Sequence, residues 1–333
     1  MNRASDLATD LVAEQAPLGG LERWLHDPAV TEVMVNAGTQ IWVERSGQLT
    51  QVGAIRPGTL MTAIEHVLAP LGRRLDRTQP MVDARLADGS RVCAVLPPVA
   101  VDGPCLAIRR FAAQQFALQA FATSQVVELL RELVSARCNL VVSGATSSGK
   151  TTLLNSLAGE VQRDERIVTL EDVAEMRLAH THVVRLETRD ATPDGVGEVT
   201  LGHLLRTALR LRPDRLVVGE VRGSEAVHLL HALNTGHDGS LTTVHANSAL
   251  DALHRLAALV VQEVGNWPLI AVRRHVASAV DVVVHLERDG TGARRVVAIA
   301  EVTRPDEGDS GALTVRPLAD GDTVVGALTR GRQ

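Results

Sequence analysis

The chain has 333 residues, 45% hydrophobic and 22% charged, with a formal net charge of −5, a globular balance with room for about two domains of ~150 residues each. The acidic balance argues against a wholesale nucleic-acid binder, and 2% aromatics with no tyrosine leave few platforms on which bases could stack. Three scattered cysteines, Cys93, Cys105 and Cys138, form no CxxC pair, so neither a zinc site nor a disulfide framework is suggested and a reducing compartment fits best.

Residues 1–20 read as a loose lead-in ending in Pro17-Leu18-Gly19-Gly20, with no basic-then-apolar signal segment. A helix begins at Leu21–Leu25 and stops at Asp27-Pro28. Glu32–Asn36 and Gln40–Glu44 alternate apolar and polar across Ala37-Gly38 and predict a hairpin. Residues 58–71 predict an amphipathic helix. Val82–Leu86 and Arg91–Leu96 predict a second hairpin, ended by Pro97-Pro98, and Leu106–Arg109 a last short strand. This first part, 21–112, reads as an α+β domain with mostly antiparallel pairing.

Ala112–Ser124 is apolar but patternless, which places a linker at 113–124. Beyond it strands alternate with helices, the signature of a parallel sheet. Helix 125–136, strand Asn139–Val142, loop 143–149 and helix 150–158 are followed by strands Ile167–Leu170 and Val183–Leu186. Helix 200–210, strand Leu216–Val218, helix 224–234 and strand Leu241–Val244 complete a RecA-like core. Helices near 249–264 and 268–278 and a hairpin of strands 281–286 and 294–302 bring this domain to residue 302. The Gly- and Asp-rich tail, 303–333, is expected to be peripheral. No apolar run approaches ~18 residues, so no transmembrane helix is expected.

One bias is unusual: among 34 Lys and Arg, Lys150 is the one lysine and the rest are arginine. It stands in Gly144-Ala145-Thr146-Ser147-Ser148-Gly149-Lys150-Thr151, followed by Thr152, which fits G-x-x-x-x-G-K-[ST] between an apolar strand and a helix. Backbone N–H groups and the helix N-terminus would face phosphates, Lys150 would reach the β/γ-phosphates, and the Thr151 hydroxyl can ligate Mg²⁺. Leu216-Val217-Val218-Gly219-Glu220 is a buried strand ending in a carboxylate, where Glu220 would orient the metal or its water. Thr169–Glu175 sets Glu171, Asp172 and Glu175 just past another core strand, and any of them can be a general base for an attacking water. Gly236–His245 carries His237 and His245 at its two ends, and His245 could sense the γ-phosphate. The pairs His180/His182 and His228/His231 lack metal spacing and read as structural. Arg185, Arg189 and Arg222 flank the acidic motifs; Arg85, Arg91 and Arg109 lie in the first domain, and an arginine contributed by a neighbour can accelerate phosphoryl transfer ~10³–10⁵-fold.

In this order the P-loop, "TLEDVAE", "RPDRLVVGEVRG" and "TGHDGSLTTVHANS" resemble the ATPases of type II and type IV secretion systems, and are most similar to the CpaF-like branch of tight-adherence (Flp-type) pili. The stretch "GRRLDRTQPMVDARLADGSRVCAVLPPVAVDGPCLAIRRF" resembles that branch too. The resemblance covers roughly residues 21–302. It implies an α/β fold, a RecA-like P-loop NTPase core with an N-terminal α+β (PAS-like) domain, assembled as a ring, usually a hexamer, with ATP between the two domains. It puts Glu175 on the general-base glutamate, Glu220 on the Walker B glutamate near Mg²⁺, His237 and His245 on the histidine box, and Arg85, Arg91 and Arg109 in the region whose arginines approach nucleotide. ATP and Mg²⁺ are the implied cofactors, an integral-membrane platform protein the implied partner, and the inner face of the cell membrane, from the cytoplasm, the implied location. Ala145 and Ser147 stand where glycine is common in the family, and no tetracysteine motif is present. A nucleic-acid translocase is a competing reading, weakened by net charge and scarce aromatics; a nucleotide-sensing scaffold is another, weakened by the presence of both Glu175 and Glu220.

Overall fold

The computed structural model describes residues 18–45, 47–86, 88–110, 116–189, 191, 195–290, 292–304 and 311–329. Most of the expected lead-in and residues 113–115 of the expected linker lie outside the described residues. The chain divides into two compact units, Met1–Ala113 and Gln114–Gln333.

In the first unit, α1 (Glu22–Leu25) precedes β1 (Val30–Asn36), β2 (Gln40–Arg45), β3 (Gln48–Ala54), α2 (Thr59–Leu68), β4 (Met81–Arg85), β5 (Arg91–Val95) and β6 (Cys105–Arg109). The strands form one sheet in the order β3-β2-β1-β6-β5-β4, with antiparallel pairing throughout. Side chains alternate faces along a strand, and Val33, Val35, Ile41, Val43, Val92 and Ile108 all fall on the side covered by Leu60, Ile64 and Leu68 of α2. Burying each such side chain contributes roughly 1.5–3 kcal/mol. The turn between β1 and β2 needs positive φ at Ala37 (48°) and Gly38 (73°), which glycine meets without strain. β3 is absent from the sequence reading: it is an edge strand whose residues are almost all exposed, so no apolar alternation marks it.

Register carries a consequence on the other face. Arg85 pairs Arg91, Arg91 pairs Arg109, and Arg109 pairs Glu32. The three arginines singled out in this unit therefore stand side by side on adjacent strands, on the face away from the core.

In the second unit, α3 (Ser124–Ser135) leads into β7 (Leu140–Gly144), α4 (Lys150–Ala158), β8 (Ile167–Glu171), β9 (Val183–Glu187), α5 (Leu201–Ala208), β10 (Arg215–Val218), α6 (Glu225–Asn234) and β11 (Leu241–His245). Next come α7 (Ala249–Val264), α8 (Leu269–Ala279), β12 (Val282–Arg288), β13 (Arg294–Thr303), β14 (Thr314–Asp320) and β15 (Thr323–Val324). The sheet order is β15-β14-β13-β12-β7-β11-β10-β8-β9. β12, β7, β11, β10, β8 and β9 run parallel, and β13 to β15 extend the sheet antiparallel. Both faces are covered, which is why these strands read as unbroken apolar runs. Leu140, Val142, Val282 and Val284 pack with Leu130 and Leu154 on one face, and Val141, Val168, Val218 and Val283 with Leu205, Leu230 and Leu256 on the other.

The tail is not peripheral over residues 313–319. β14 pairs along β13, and Leu313, Leu318 and Ala319 are buried at 4%, 0% and 2% exposure. The Gly/Asp-rich flanks hide this apolar strand from a composition-based reading.

The N-terminal ends of the parallel strands are clamped by polar groups. Arg215, 1% exposed, donates bidentately to Glu165 (2.7 and 2.9 Å) and to Gly239 O (3.2 Å). Burial works to raise the Glu165 pKa, but the Arg215 hydrogen bonds and charge, with Arg137, outweigh it and hold the carboxyl below its ordinary value. Gly239 has φ +81°, and a Cβ there would lie 1.8 Å from Arg215 Nη1. Asn139 adds a second knot, donating to Ala279 O, accepting from Ser240 N–H, and giving its own N–H to Asp281. With this edge fixed, the C-terminal edge is left for loops, the usual place for ligands in open α/β sheets.

Candidate functional site

The parallel register brings the chemistry to that one edge. Gly144 at the end of β7 pairs His245 at the end of β11, and Val218 of β10 pairs Leu170 of β8. The loop after β7, Glu220 after β10, Glu171 through Glu175 after β8, and His245 all emerge together.

The loop is shaped for a phosphate chain. Gly144 packs so close to β12 that a Cβ would meet Leu286 O at 2.3 Å, and Gly149 so close to Arg294 that a Cβ would meet its Cδ at 2.5 Å. Gly149 caps α4 with φ 101°. The first N–H groups of α4 have no intrahelical acceptor and carry the positive end of the helix dipole. Ser147, at φ 61°, bears a left-handed strain of roughly 1–2 kcal/mol that the more usual glycine would lack. Ser148 Oγ is buried without a hydrogen-bond partner, a polar atom suited to a bound anion's shell. Lys150, 8% exposed, donates from Nζ to Gly144 O (3.0 Å) and Ala145 O (2.9 Å). Burial pushes its ammonium pKa below the ordinary value and the Glu220 carboxylate pulls it back up, so the two charges sense each other across the edge. Thr146 Oγ1 lies 3.3 Å from His245 Nδ1, joining the loop to β11. Thr152 Oγ1 accepts from Arg294 Nη1 at 3.1 Å, and Thr151 is partly exposed beside it.

The turn carrying Glu220 is locked by Gly219 N–H to Leu170 O (2.8 Å), Thr243 Oγ1 to Gly219 O (2.6 Å) and Val221 N–H to Thr243 O (2.9 Å). A Cβ at Gly219 would make ordinary contact with Glu171 Cγ at 3.4 Å, so the aspartate that many P-loop enzymes carry at this point would set a second carboxylate beside Glu171. Glu171 is 3% exposed; its Oε1 accepts the N–H groups of Glu175 and Met176, both at 2.8 Å, while its Oε2 is buried without a partner. Burial raises its pKa to about 7, against the pull of the two N–H groups and Arg185. Glu175 is half-buried on the turn so held. Asp172 pairs with Arg222, and Arg185 donates to Ala174 O at 3.1 Å, so both arginines brace the acidic turn.

Two sequence-predicted residues are not brought to the loop. His237 precedes β11 and His245 ends it, so about five residues of extended strand, ~16 Å, separate them. His237 lies on the clamped edge, where its carbonyl accepts from Ser240 Oγ (2.7 Å), which corrects its placement with His245 in one site. Arg189 donates to Gly197 O (2.7 Å) and pairs with Val199 across an isolated bridge; it fastens a loop. Conversely, Arg294 beside Gly149 and Thr152 was invisible in sequence, one arginine among many.

Glu171 carries a measurable consequence. Its folded pKa is raised from the ordinary 4.5 to about 7, so between those values the folded state binds more protons than the unfolded. Stability from this group is present below about pH 4.5 and is lost as pH rises to about 7, amounting to ~3 kcal/mol in all. Denaturant unfolding at pH 5 and pH 8 should show wild type losing more stability than Glu171→Gln by about that amount; parallel losses in the two proteins would refute the buried-carboxyl account.

The family model described as Type II/IV secretion system protein matches residues 14–310. A putative conjugal transfer protein of Mycobacterium tuberculosis is 40% identical over 339 residues, spanning 97% of this chain and 96% of its own length. The type IV secretion system protein PtlH of Bordetella pertussis is 36% identical over 316 residues, spanning 84% of this chain and 92% of its own. Among solved structures, the pilus retraction motor PilT with bound ADP aligns over 87% of this chain and 83% of its own at a TM-score of 0.62 and 20% identity. That likeness establishes the fold: a RecA-like core with an N-terminal domain.

Proposed function

The chain belongs to the family of type II/IV secretion system proteins and is an ATPase, and from that premise we propose that it is an oligomeric motor, a homo-hexameric ring, whose ATP turnover drives a pilus or secretion machine through a membrane-embedded platform protein. The observation that carries this reading is the shared edge: a buried lysine in a phosphate-shaped loop, electrostatically coupled to Glu220, with Glu175 on a braced turn after β8, the strand beside β10.

The roles follow from position. The loop 144–149 and the N-terminus of α4 cradle the phosphates and Lys150 takes the β/γ oxygens. Glu175 accepts a proton from the attacking water, and His245, touching the loop through Thr146, reports on the terminal phosphate. Arg222 and Arg185 hold the acidic turn. Among the described residues no group of three or more His, Cys, Asp or Glu could hold a metal by itself, which suits Mg²⁺, an ion that keeps its waters and uses few protein ligands beside substrate phosphates. Thr151 and Glu220 would hold it, and it would supply charge neutralisation on the phosphate oxygens. The row Arg85, Arg91 and Arg109 gathers positive charge on one face of the first unit's sheet, a surface that attracts anions; we assign the row to anion contact.

Among the described residues no helix is long and apolar enough to cross a membrane; the platform partner proposed above would place the motor at the inner face of the membrane. The motif set favours the Flp-type pilus branch, for assembly or retraction. The relatives named for conjugal transfer and type IV secretion favour a transfer machine instead. The purified chain should hydrolyse ATP with turnover per protomer that rises as it assembles with concentration; a turnover indifferent to assembly would overturn the ring reading. In cells lacking the chain, complementation scored separately for surface pilin, secreted protein and DNA transfer will separate the two machines.

A further inference from the structure

The phosphate loop sits between two unlike flanks. On one side, two and three strands away from β7, lie Glu220 and the acidic turn. Metal, attacking water and terminal phosphate belong there, because carboxylates repel phosphate unless a cation or a proton transfer intervenes. The nucleoside end of a bound nucleotide must therefore leave toward the other flank, β12 and β13. Arg294 starts β13 opposite Arg288, on the strand two away from β7, ~10 Å across the sheet. Because β13 runs antiparallel, its first residue lies at the same edge as the loop.

Arg294 is held there from three sides. Its stem fills the space over Gly149, where a Cβ would meet Cδ at 2.5 Å and Nε at 3.0 Å. Its Nη1 donates to Thr152 Oγ1. Its Cζ lies 5.9 Å from the ring centroid of Phe116. Phe116 is itself anchored: its carbonyl accepts from Ser156 Oγ of α4 at 2.6 Å, and its ring meets Phe121 edge-on at 6.3 Å. In a chain with three phenylalanines and no tyrosine, two phenylalanines stand at this flank, against the helix that opens the phosphate loop. A planar guanidinium pinned over an aromatic ring is a stacking surface that a lysine could not provide.

We propose that Arg294, supported by Phe116, forms the subsite for the nucleobase, the guanidinium plane stacking on the base of the nucleotide whose phosphates the loop binds. This rests on the ATP-binding reading of the loop and adds to it the face that reads the nucleoside half. Stacking of this kind is sequence-tolerant, since every base has a π-face, so the subsite adds affinity for nucleotides over bare polyphosphate more than choice among bases.

The test compares ADP with tripolyphosphate, which has phosphates and no base, by calorimetric titration of the full chain. Arg294→Ala should weaken ADP roughly 5- to 100-fold and leave tripolyphosphate within about two-fold. Arg294→Lys keeps the charge and most of the stem, folds even if the alanine variant does not, and should also lose ADP affinity selectively; Phe116→Leu should show a smaller loss of the same kind. Equal losses for both ligands would mean that Arg294 only props the loop, and full ADP affinity in Arg294→Lys would mean a charge contact in place of stacking; either overturns the proposal. A wild-type chain that binds neither would overturn the nucleotide reading beneath it.

Discussion

Lys150→Ala is expected to lower ATP turnover by at least ~10²–10³-fold, the scale of removing one preorganised donor from a developing charge. The argument begins in the fold. Lys150 opens α4 directly after the cradle, and its ammonium lies on the carbonyls of Gly144 and Ala145. Those carbonyls hold the charge within the loop, and the Glu220 carboxylate partly offsets the lowering that burial imposes on its pKa. A phosphate chain in the cradle offers the ammonium far stronger acceptors than two neutral carbonyls. Removal should cost folding stability little, about 1–2 kcal/mol for two carbonyls left short of a donor, so the variant should melt near wild type while failing to turn over. An amine-selective reagent offers an independent check, because the chain has one lysine and its side chain is buried. Modification there should be slow, slower still with ATP present, and should abolish activity. Undiminished turnover in Lys150→Ala would remove the site from this edge altogether.

Much of this edge was legible before the structure, and the reason is periodicity. A parallel sheet covered on both faces needs continuous apolar runs, and those read at 139–142, 167–170, 216–218 and 241–244 pointed to where each chemical residue would emerge. What was not legible depends on register and packing. β3 carries no alternation because it buries almost nothing. β14 is apolar for only a few residues between Gly- and Asp-rich flanks. His237 and His245 look alike in sequence as two ends of one motif, but an intervening strand sends them to opposite edges. Arg294 could not be told from its many fellow arginines until β13 was seen to return antiparallel beside the loop. That Arg85, Arg91 and Arg109 stand in one row is set by the pairing of three strands and was not visible in their spacing along the chain.

Among the three carboxylates at and just after the end of β8, replacing Glu175 with Gln should cost the most, lowering kcat ~10²–10⁴-fold, the contribution of a positioned general base. The other two are held in ways that do not present them to an attacking water. Asp172 is paired with Arg222. Glu171 spends one oxygen on the N–H groups of Glu175 and Met176, and its other oxygen is sealed from solvent at 3% residue exposure, where no water can approach in line. Its pKa near 7, which by value alone would suit a base, comes from that sealing and so marks a positioning group. Glu171→Gln keeps an oxygen for both N–H groups and should lower kcat by less than ~10-fold, whereas Glu175→Gln leaves ATP binding within a few-fold and removes the proton acceptor. Single-turnover hydrolysis with ATP already bound separates these outcomes from assembly and product release. If the losses are reversed, large for Glu171 and small for Glu175, the sealed carboxyl must open during turnover and the acidic turn is a moving part; if both are small, the water is activated from the Glu220 side of the edge.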